Sequence, residues 1–419
     1  VYISRLVLDH YRSWESCVVD LEPGVNILQG SNGLGKTNLV EAVEVLATGS
    51  SHRVSSSAPL VHVGDSSATI RANVHHSNVS QTLELTVALR GANRGRIDSG
   101  SSVYAKDIIG KLNCVVFAPE DERLVSSEPS QRRSFIDQTS SQLDPSYAEL
   151  LQRSRHIAKQ RVALLKQLSQ RPDLSQQSAA LSGLEIWTGQ FIEVGVQLTR
   201  ARQQLIAALH EEFTKAYCAL AGENNQAHLR YQPSFAEVLD DQEPQRAISE
   251  HYQRLYVGEM SRGQNLIGPH RDDLVFELNG MNAKEYASNG EMWTLALALK
   301  IAQFKLLQQR LGVTPVVILD DVFAQLDESR RSQILNFASQ QEQVLVTVAA
   351  KSDIPQFMTA ISGVSTEGTL QDRAISDSNH MQQHVGDTSI HVIDVQHLVD
   401  MQHHQDVYDA VDSQTERDL

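Results

Sequence analysis

The residues best suited to chemistry are Gly30-Ser31-Asn32-Gly33-Leu34-Gly35-Lys36-Thr37, which fit the pattern G-x(4)-G-K-[ST]. Glycines at these positions let backbone N–H groups face an anion. Lys36 would reach the β- and γ-phosphates of a nucleoside triphosphate, and the Thr37 hydroxyl would hold Mg²⁺. The start of a following helix would add partial positive charge. The competing reading is an ordinary Gly-rich turn. An apolar run before the loop and a helical pattern behind Asn38 favour the phosphate site over it.

A second element supports the first. Val316-Val317-Ile318-Leu319 is wholly apolar and ends in Asp320-Asp321. Such a run buries a strand and leaves two carboxylates at its exposed end. Asp320 would bind Mg²⁺ through water, and Asp321 would orient or deprotonate an attacking water. Lys36 and Asp321 are therefore the candidate catalytic residues. Asp327 follows six residues after Asp321, where a turn could place it at a subunit interface. Ser288-Asn289-Gly290 opens an apolar helix, and a Ser-x-Gly at a helix start can offer a hydroxyl and N–H groups to an anion. A plain N-cap explains it equally well.

These groups need elements to hold them. Residues 2–8, 17–21 and 25–28 read as strands, and 36–47 as the helix behind the loop. Residues 68–74 and 81–89 alternate like antiparallel strands, and 115–117 is a short buried one. From about 140 to 222 the pattern is helical. Asp144-Pro145 is an N-cap with proline at the first helical position. Trp187, Phe191, Val194, Leu198, Ala201, Leu205 and Ala208 make an a/d seam, expected to pack rather than to bind a ligand. Residues 274–278, 293–307, 316–319 and 344–348 restore an α/β pattern, with apolar runs that suit a parallel sheet covered on both faces. Four segments are expected. A first head segment spans 1–140, a helical lobe 141–262 and a second head segment 263–362. A flexible C-terminal strand and acidic, His-rich tail cover 363–419.

Composition narrows the class. The chain has 419 residues, 41% apolar and 21% charged, enough to bury a core and too many apolar residues for wholesale disorder. No apolar run approaches the ~20 residues of a membrane span, and the opening residues lack a signal-peptide pattern. Cys17, Cys114 and Cys218 lie far apart, which suggests a reducing cytoplasm, with Cys114 an inert core thiol. Formal net charge is −15. Residues 364–419 hold eleven acidic and two basic side chains, which leaves −6 on the rest. That excludes wholesale nucleic-acid coating and still permits a local basic face.

Taken together, several motifs resemble the RecF family of bacterial recombination mediators, which belongs with SMC-type and ABC-type ATPases. They are Tyr2-Ile3-Ser4-Arg5-Leu6, Tyr11-Arg12-Ser13, the phosphate loop with Asn38 and Glu41-Ala42, and Ser51-His52-Arg53. Val116 to Asp121, Arg132 to Asp137, Gly268 to Asp273 and Leu319 to Phe323 complete the set, in order over residues 1–360. The resemblance implies an α/β, ABC/SMC-like P-loop ATPase head with an inserted antiparallel helical lobe. It implies ATP and Mg²⁺ as cofactors and an ATP-dependent homodimer, with Ser288 and Gly290 of one chain capping the γ-phosphate held by Lys36 of the other. Arg12 and Arg53 would contact phosphate. The dimer would clamp single- and double-stranded DNA at gap junctions and, with RecO and RecR, help place RecA. Slow, DNA-dependent hydrolysis would act as a switch. Glu291, Met292 and Trp293 stand where the family often has Gln-Gln-Arg.

Other readings compete. An ABC transporter motor shares the loop and the acidic strand, but the signature is not of the LSGGQ type. A small-molecule kinase fits poorly, because Asp320 lies so far from Lys36. Arg153, Arg155, Lys159, Arg161 and Lys166 ride one helix and read first as a solvated face, with DNA contact as the alternative. Arg132 and Arg133 could pair with Asp121. His380, His384, His391, His397, His403 and His404 read as tail residues rather than metal ligands.

Overall fold

The computed structural model describes residues 1–54, 56–76, 79–170, 174–222, 225–326, 328–349, 381–385 and 388–402. Chain contacts divide it into two compact units, residues 1–120 with 307–419, and residues 121–306.

The first unit holds two sheets. One is antiparallel: β1 Tyr2–Tyr11, β2 Trp14–Asp20, β4 Ser67–His76, β5 Val79–Ala88, β6 Arg94–Ile97 and β7 Val103–Tyr104, in the order β2-β1-β4-β5-β6-β7. Its burial alternates along β4, as period-two patterning requires. The other sheet contains β3 Gly24–Gln29, β8 Cys114–Phe117, β12 Val316–Leu319 and β13 Gln343–Val348, all mutually parallel. Every residue of β8, β12 and β13 is buried, which is why β8 and β12 are wholly apolar and β13 carries only Gln343 and Thr347 as polar residues. The helix Lys36–Thr48 lies in one core with Leu8 and Ile70 of the first sheet and Ile318 and Leu345 of the second.

The C-terminal segment, where a strand and an acidic tail are expected, contains two strands among its described residues. β14 Met381–Val385 pairs with β15 Thr388–Asp394, and β15 runs parallel to β3. A helix over 395–402 follows. Ile390 and Ile393 are the apolar residues that bury this edge. His391 is no solvated tail residue: it is buried in β15, with Nδ1 3.3 Å from Asn26 Oδ1. His380, His403 and His404 lie outside the described residues.

The second unit is built on the long helices Pro129–Leu143, Pro145–Gln170 and Leu174–Ala221, with Gln245–Arg262 against them. Asp144 Oδ1 accepts the Ser146 N–H at 2.8 Å and caps the second long helix. The helices Pro145–Gln170 and Leu174–Ala221 run antiparallel, as Arg161 bonds Thr188 while Arg202 bonds Tyr147. Phe191, Val194, Leu198 and Leu205 of the expected seam are buried. A small sheet of β9 Ala227–Gln232, β10 Asp273–Leu278 and β11 Met281–Asn282 completes the unit. Residues 263–306 fall in this unit with the lobe residues. β10 pairs with β9 in register, and Arg132 reaches Asp273.

Long-range polar pairs account for two more differences. Arg132 forms a two-pronged pair with Asp273 at 2.6 and 3.0 Å, and Arg133 donates to the Asp272 carbonyl, so neither joins Asp121. Asp121 pairs with Lys300 at 3.1 Å. Arg161, one of the five basic residues on its helix, is only 2% exposed. Glu259, Asn265 and Thr188 surround its guanidinium, so it faces neither solvent nor nucleic acid.

Candidate functional site

Gly30 to Gly35 join β3 to the helix that starts at Lys36. Gly33 and Gly35 have φ of +90° and +89°, the left-handed region that favours glycine. A Cβ at Gly35 would also lie 2.8 Å from Ser13 Oγ and Trp14 Nε1. The loop is therefore curled, and the Lys36 ammonium closes it by donating to the carbonyls of Gly30 at 2.6 Å and Ser31 at 2.9 Å. Burial pulls Lys36 below the ordinary lysine range, against the opposite pull of Asp321 and Asp320.

β12 brings Asp320 to this loop. The hydroxyls of Thr37 and Thr347 both donate to Asp320 Oδ1, at 3.0 and 2.8 Å. The Thr347 oxygen also accepts the Asp321 N–H at 2.8 Å. Asp321 has φ +48°, a conformation an aspartate holds only where its surroundings impose it. Burial raises the Asp320 carboxyl above the usual range, while the two hydroxyls and the charges of His52 and Arg53 oppose the rise. A threonine hydroxyl beside a buried carboxylate is a hard oxygen donor set, which suits Mg²⁺.

A second cluster flanks the loop. Arg12 sits at φ +56° in the tight turn between β1 and β2 and donates twice to Glu41, at 2.9 and 2.5 Å. Arg53 donates to Glu41 at 3.2 Å and to Asn38 Oδ1 at 3.0 Å, and the Ser51 hydroxyl donates to Glu41 at 2.5 Å. Glu41 is fully buried, so its charge is compatible with this place only because two guanidinium groups meet it. Helix residues 395–402 also abut the loop: a Cβ on Gly30 would lie 3.5 Å from Val395 Cβ.

The structure thus brings together Lys36, Thr37, Asn38, Arg12, Arg53, Asp320 and Asp321 within the first unit. Ser288 and Gly290 belong to the second unit. There Ser288 caps the helix Asn289–Leu311, and its N–H and hydroxyl both donate to Glu291 Oε2, at 2.8 and 2.7 Å. These bonds hold the Glu291 carboxyl below its ordinary range. Asp327 lies outside the described residues. Two residues join the site that motif reading did not assign to it, Glu41 and Thr347. Thr347 left a faint signal, a hydroxyl inside the apolar run 344–348. A buried hydroxyl needs partners.

The family model described as RecF/RecN/SMC N terminal domain matches residues 2–371. A protein of Bifidobacterium adolescentis, described as DNA replication and repair protein RecF, is 62% identical over 360 residues, 85% of this chain and 89% of its own length.

The chain belongs to the RecF family.

A RecF of Streptomyces avermitilis is 39% identical over 376 residues, 88% of this chain and 100% of its own. A solved structure of the recombination mediator protein RecF with ATP, described as belonging to the RecFOR pathway, has a TM-score of 0.75 at 26% identity. It covers 84% of this chain and 93% of that one. The RecF fold is the ABC/SMC-type ATPase fold expected from the motifs. The transporter-motor reading is not favoured, since these relatives are DNA replication and repair proteins. No helix among the described residues is long and apolar enough to cross a membrane.

Proposed function

We propose that this RecF-family chain acts in DNA replication and recombinational repair as an ATP-dependent DNA clamp. The observation that carries the reading is the convergence of Lys36, Thr37, Asp320 and Asp321 at one curled glycine loop. Supporting it, a relative of the same fold is described with ATP.

The residues divide the work by their chemistry. The N–H groups of Gly30 to Thr37 bind phosphate oxygens, and Lys36 exchanges its loop carbonyls for the β- and γ-phosphates. Thr37 and Asp320 hold Mg²⁺, which neutralises charge on the phosphate oxygens when bound. Asp321 orients the attacking water and accepts its proton. Arg12 and Arg53, held by Glu41 and Asn38, present positive charge beside the loop. Ser288 and Gly290, with Asp327, serve the nucleotide of a second copy, so that ATP joins two chains. The closed dimer grips gapped DNA where single and double strands meet. It works in the cytoplasm with RecO and RecR to help load RecA, and weak DNA-stimulated hydrolysis reopens it.

The test is binding to gapped and blunt duplex with ATP, ADP and a slowly hydrolysed analogue, at fixed salt, alongside sedimentation of the same mixtures. ATP and the analogue should promote dimers and gap binding, and Lys36→Ala should lose both. A monomer indifferent to nucleotide that still binds gapped DNA normally would overturn the proposal.

A further inference from the structure

β13 is a strand with every residue buried, yet two of its six side chains are polar. Gln343 spends its amide on backbone, accepting from the Ile3 N–H and donating to the Ile3 and Glu22 carbonyls. That is a structural tie between sheets. Thr347, 2% exposed, does something else. Its single hydroxyl donates to the Asp320 side chain and accepts from the Asp321 backbone, both at 2.8 Å. One oxygen therefore touches both consecutive acids, from a different strand.

We infer that Thr347 is the positioning residue of the hydrolytic site, fixing the two acids relative to each other through one hydroxyl. Its donated bond, with that of Thr37, falls on Asp320 Oδ1 and orients the carboxylate that would help hold Mg²⁺. Its accepted bond pins the Asp321 amide and thereby the left-handed backbone from which that carboxylate projects. β12 alone cannot supply this, because successive side chains of a strand point to opposite faces. The neighbouring β13 supplies it, since its register sets Val346 opposite Leu319 and carries Thr347 one residue further. The inference rests on the ATP-site reading proposed above and names a residue that reading did not include.

The experiment measures steady-state ATP hydrolysis across a Mg²⁺ titration, together with nucleotide affinity. Thr347→Val keeps the shape of the side chain and removes the hydroxyl. Its Mg²⁺ midpoint should rise about tenfold or more and its kcat fall, as loss of an outer-shell partner does elsewhere. Its affinity for ATP without Mg²⁺ should be unchanged. Thr347→Ser should restore both parameters, which a merely structural methyl contact would not explain. Wild-type kcat and midpoint in a folded Thr347→Val protein would overturn the inference. Should that variant not fold, Thr347→Ser and Thr347→Ala isolate the hydroxyl: equal midpoints in those two would overturn it as well. Lys36→Ala is the control. If it binds nucleotide as wild type does, the ATP-site reading falls and this inference with it; if it loses binding while Thr347→Val behaves as wild type, only the inference falls.

Discussion

The Ser288 hydroxyl donates to Glu291 at 2.7 Å, and the Ser288 N–H donates to the same carboxylate oxygen. The Glu291 carboxylate is thus turned back onto its own helix start. It screens its charge there and satisfies orphan N-terminal groups. It also occupies the hydroxyl that would cap a γ-phosphate. Glu291→Gln, which removes the charge, is expected to tighten dimerisation with a slowly hydrolysed ATP analogue, and Ser288→Ala to weaken it. Sedimentation equilibrium reads both. Identical dimer affinities in Glu291→Gln and wild type would limit Glu291 to a capping role.

Asp321 can be separated from nucleotide binding. Asp321→Asn keeps the size of the side chain and removes its basicity. Hydrolysis should fall about 100-fold or more, the usual contribution of a general base. ATP affinity should persist, and the DNA-bound dimer should last longer. A single-turnover assay paired with a DNA dissociation time course checks this, and unchanged hydrolysis rules Asp321 out as the base.

The Asp320 carboxyl is raised because burial disfavours its charge, so protonation is easier in the folded chain than in the unfolded one. The stability it contributes is present at low pH and is lost as pH rises through its raised value. The ionised carboxylate is disfavoured by burial, a cost that a bound Mg²⁺ would offset. Asp320→Asn should melt at the same temperature as ligand-free wild type or higher, yet gain nothing from Mg²⁺ and ATP. Lowering the pH should weaken the wild-type Mg²⁺ response sooner than an ordinary carboxylate would. Thermal melts with and without Mg-ATP, over a pH series, decide it.

Arg202, 2% exposed, pairs with Asp137 and Asp272 at 2.8 Å each and donates to the Pro269 carbonyl. Arg202→Leu takes the paired cation from buried Asp272 and leaves Asp137 only the more exposed Arg155 at 3.3 Å, a loss of about 3–5 kcal/mol. Arg246, 92% exposed at its side chain, also has a carboxylate partner, Glu250. Arg246→Ala should cost at most about 1 kcal/mol, as exposed pairs do. Urea denaturation of the two variants should separate them clearly. Comparable losses would contradict the difference in burial.

Local sequence made much of this legible. The loop from Gly30 to Thr37, the apolar strand ending at Asp320 and the a/d seam are local, because backbone freedom, strand burial and helical period act over neighbouring residues. The β-pattern of residues 68–89 and the helix end near Gly222 were readable for the same reason. Short elements such as β6, β7 and β11 were not, since their pairing rather than their composition defines them. A C-terminal strand was expected, but not the pairing of β15 with β3, its parallel partner more than 300 residues away.

By itself, the amino-acid sequence determined the phosphate loop, the acidic strand, the helical lobe and the family, each encoded in contiguous residues. Only the tertiary structure decided who partners whom: Arg12 and Arg53 with Glu41, Arg132 with Asp273, Arg161 with Glu259, and Thr347 with both acids. A buried charge or hydroxyl must find a partner, but the need is met by whichever group the packing brings within about 3 Å. That choice is made by strand order and helix crossing, which no short stretch of chain specifies.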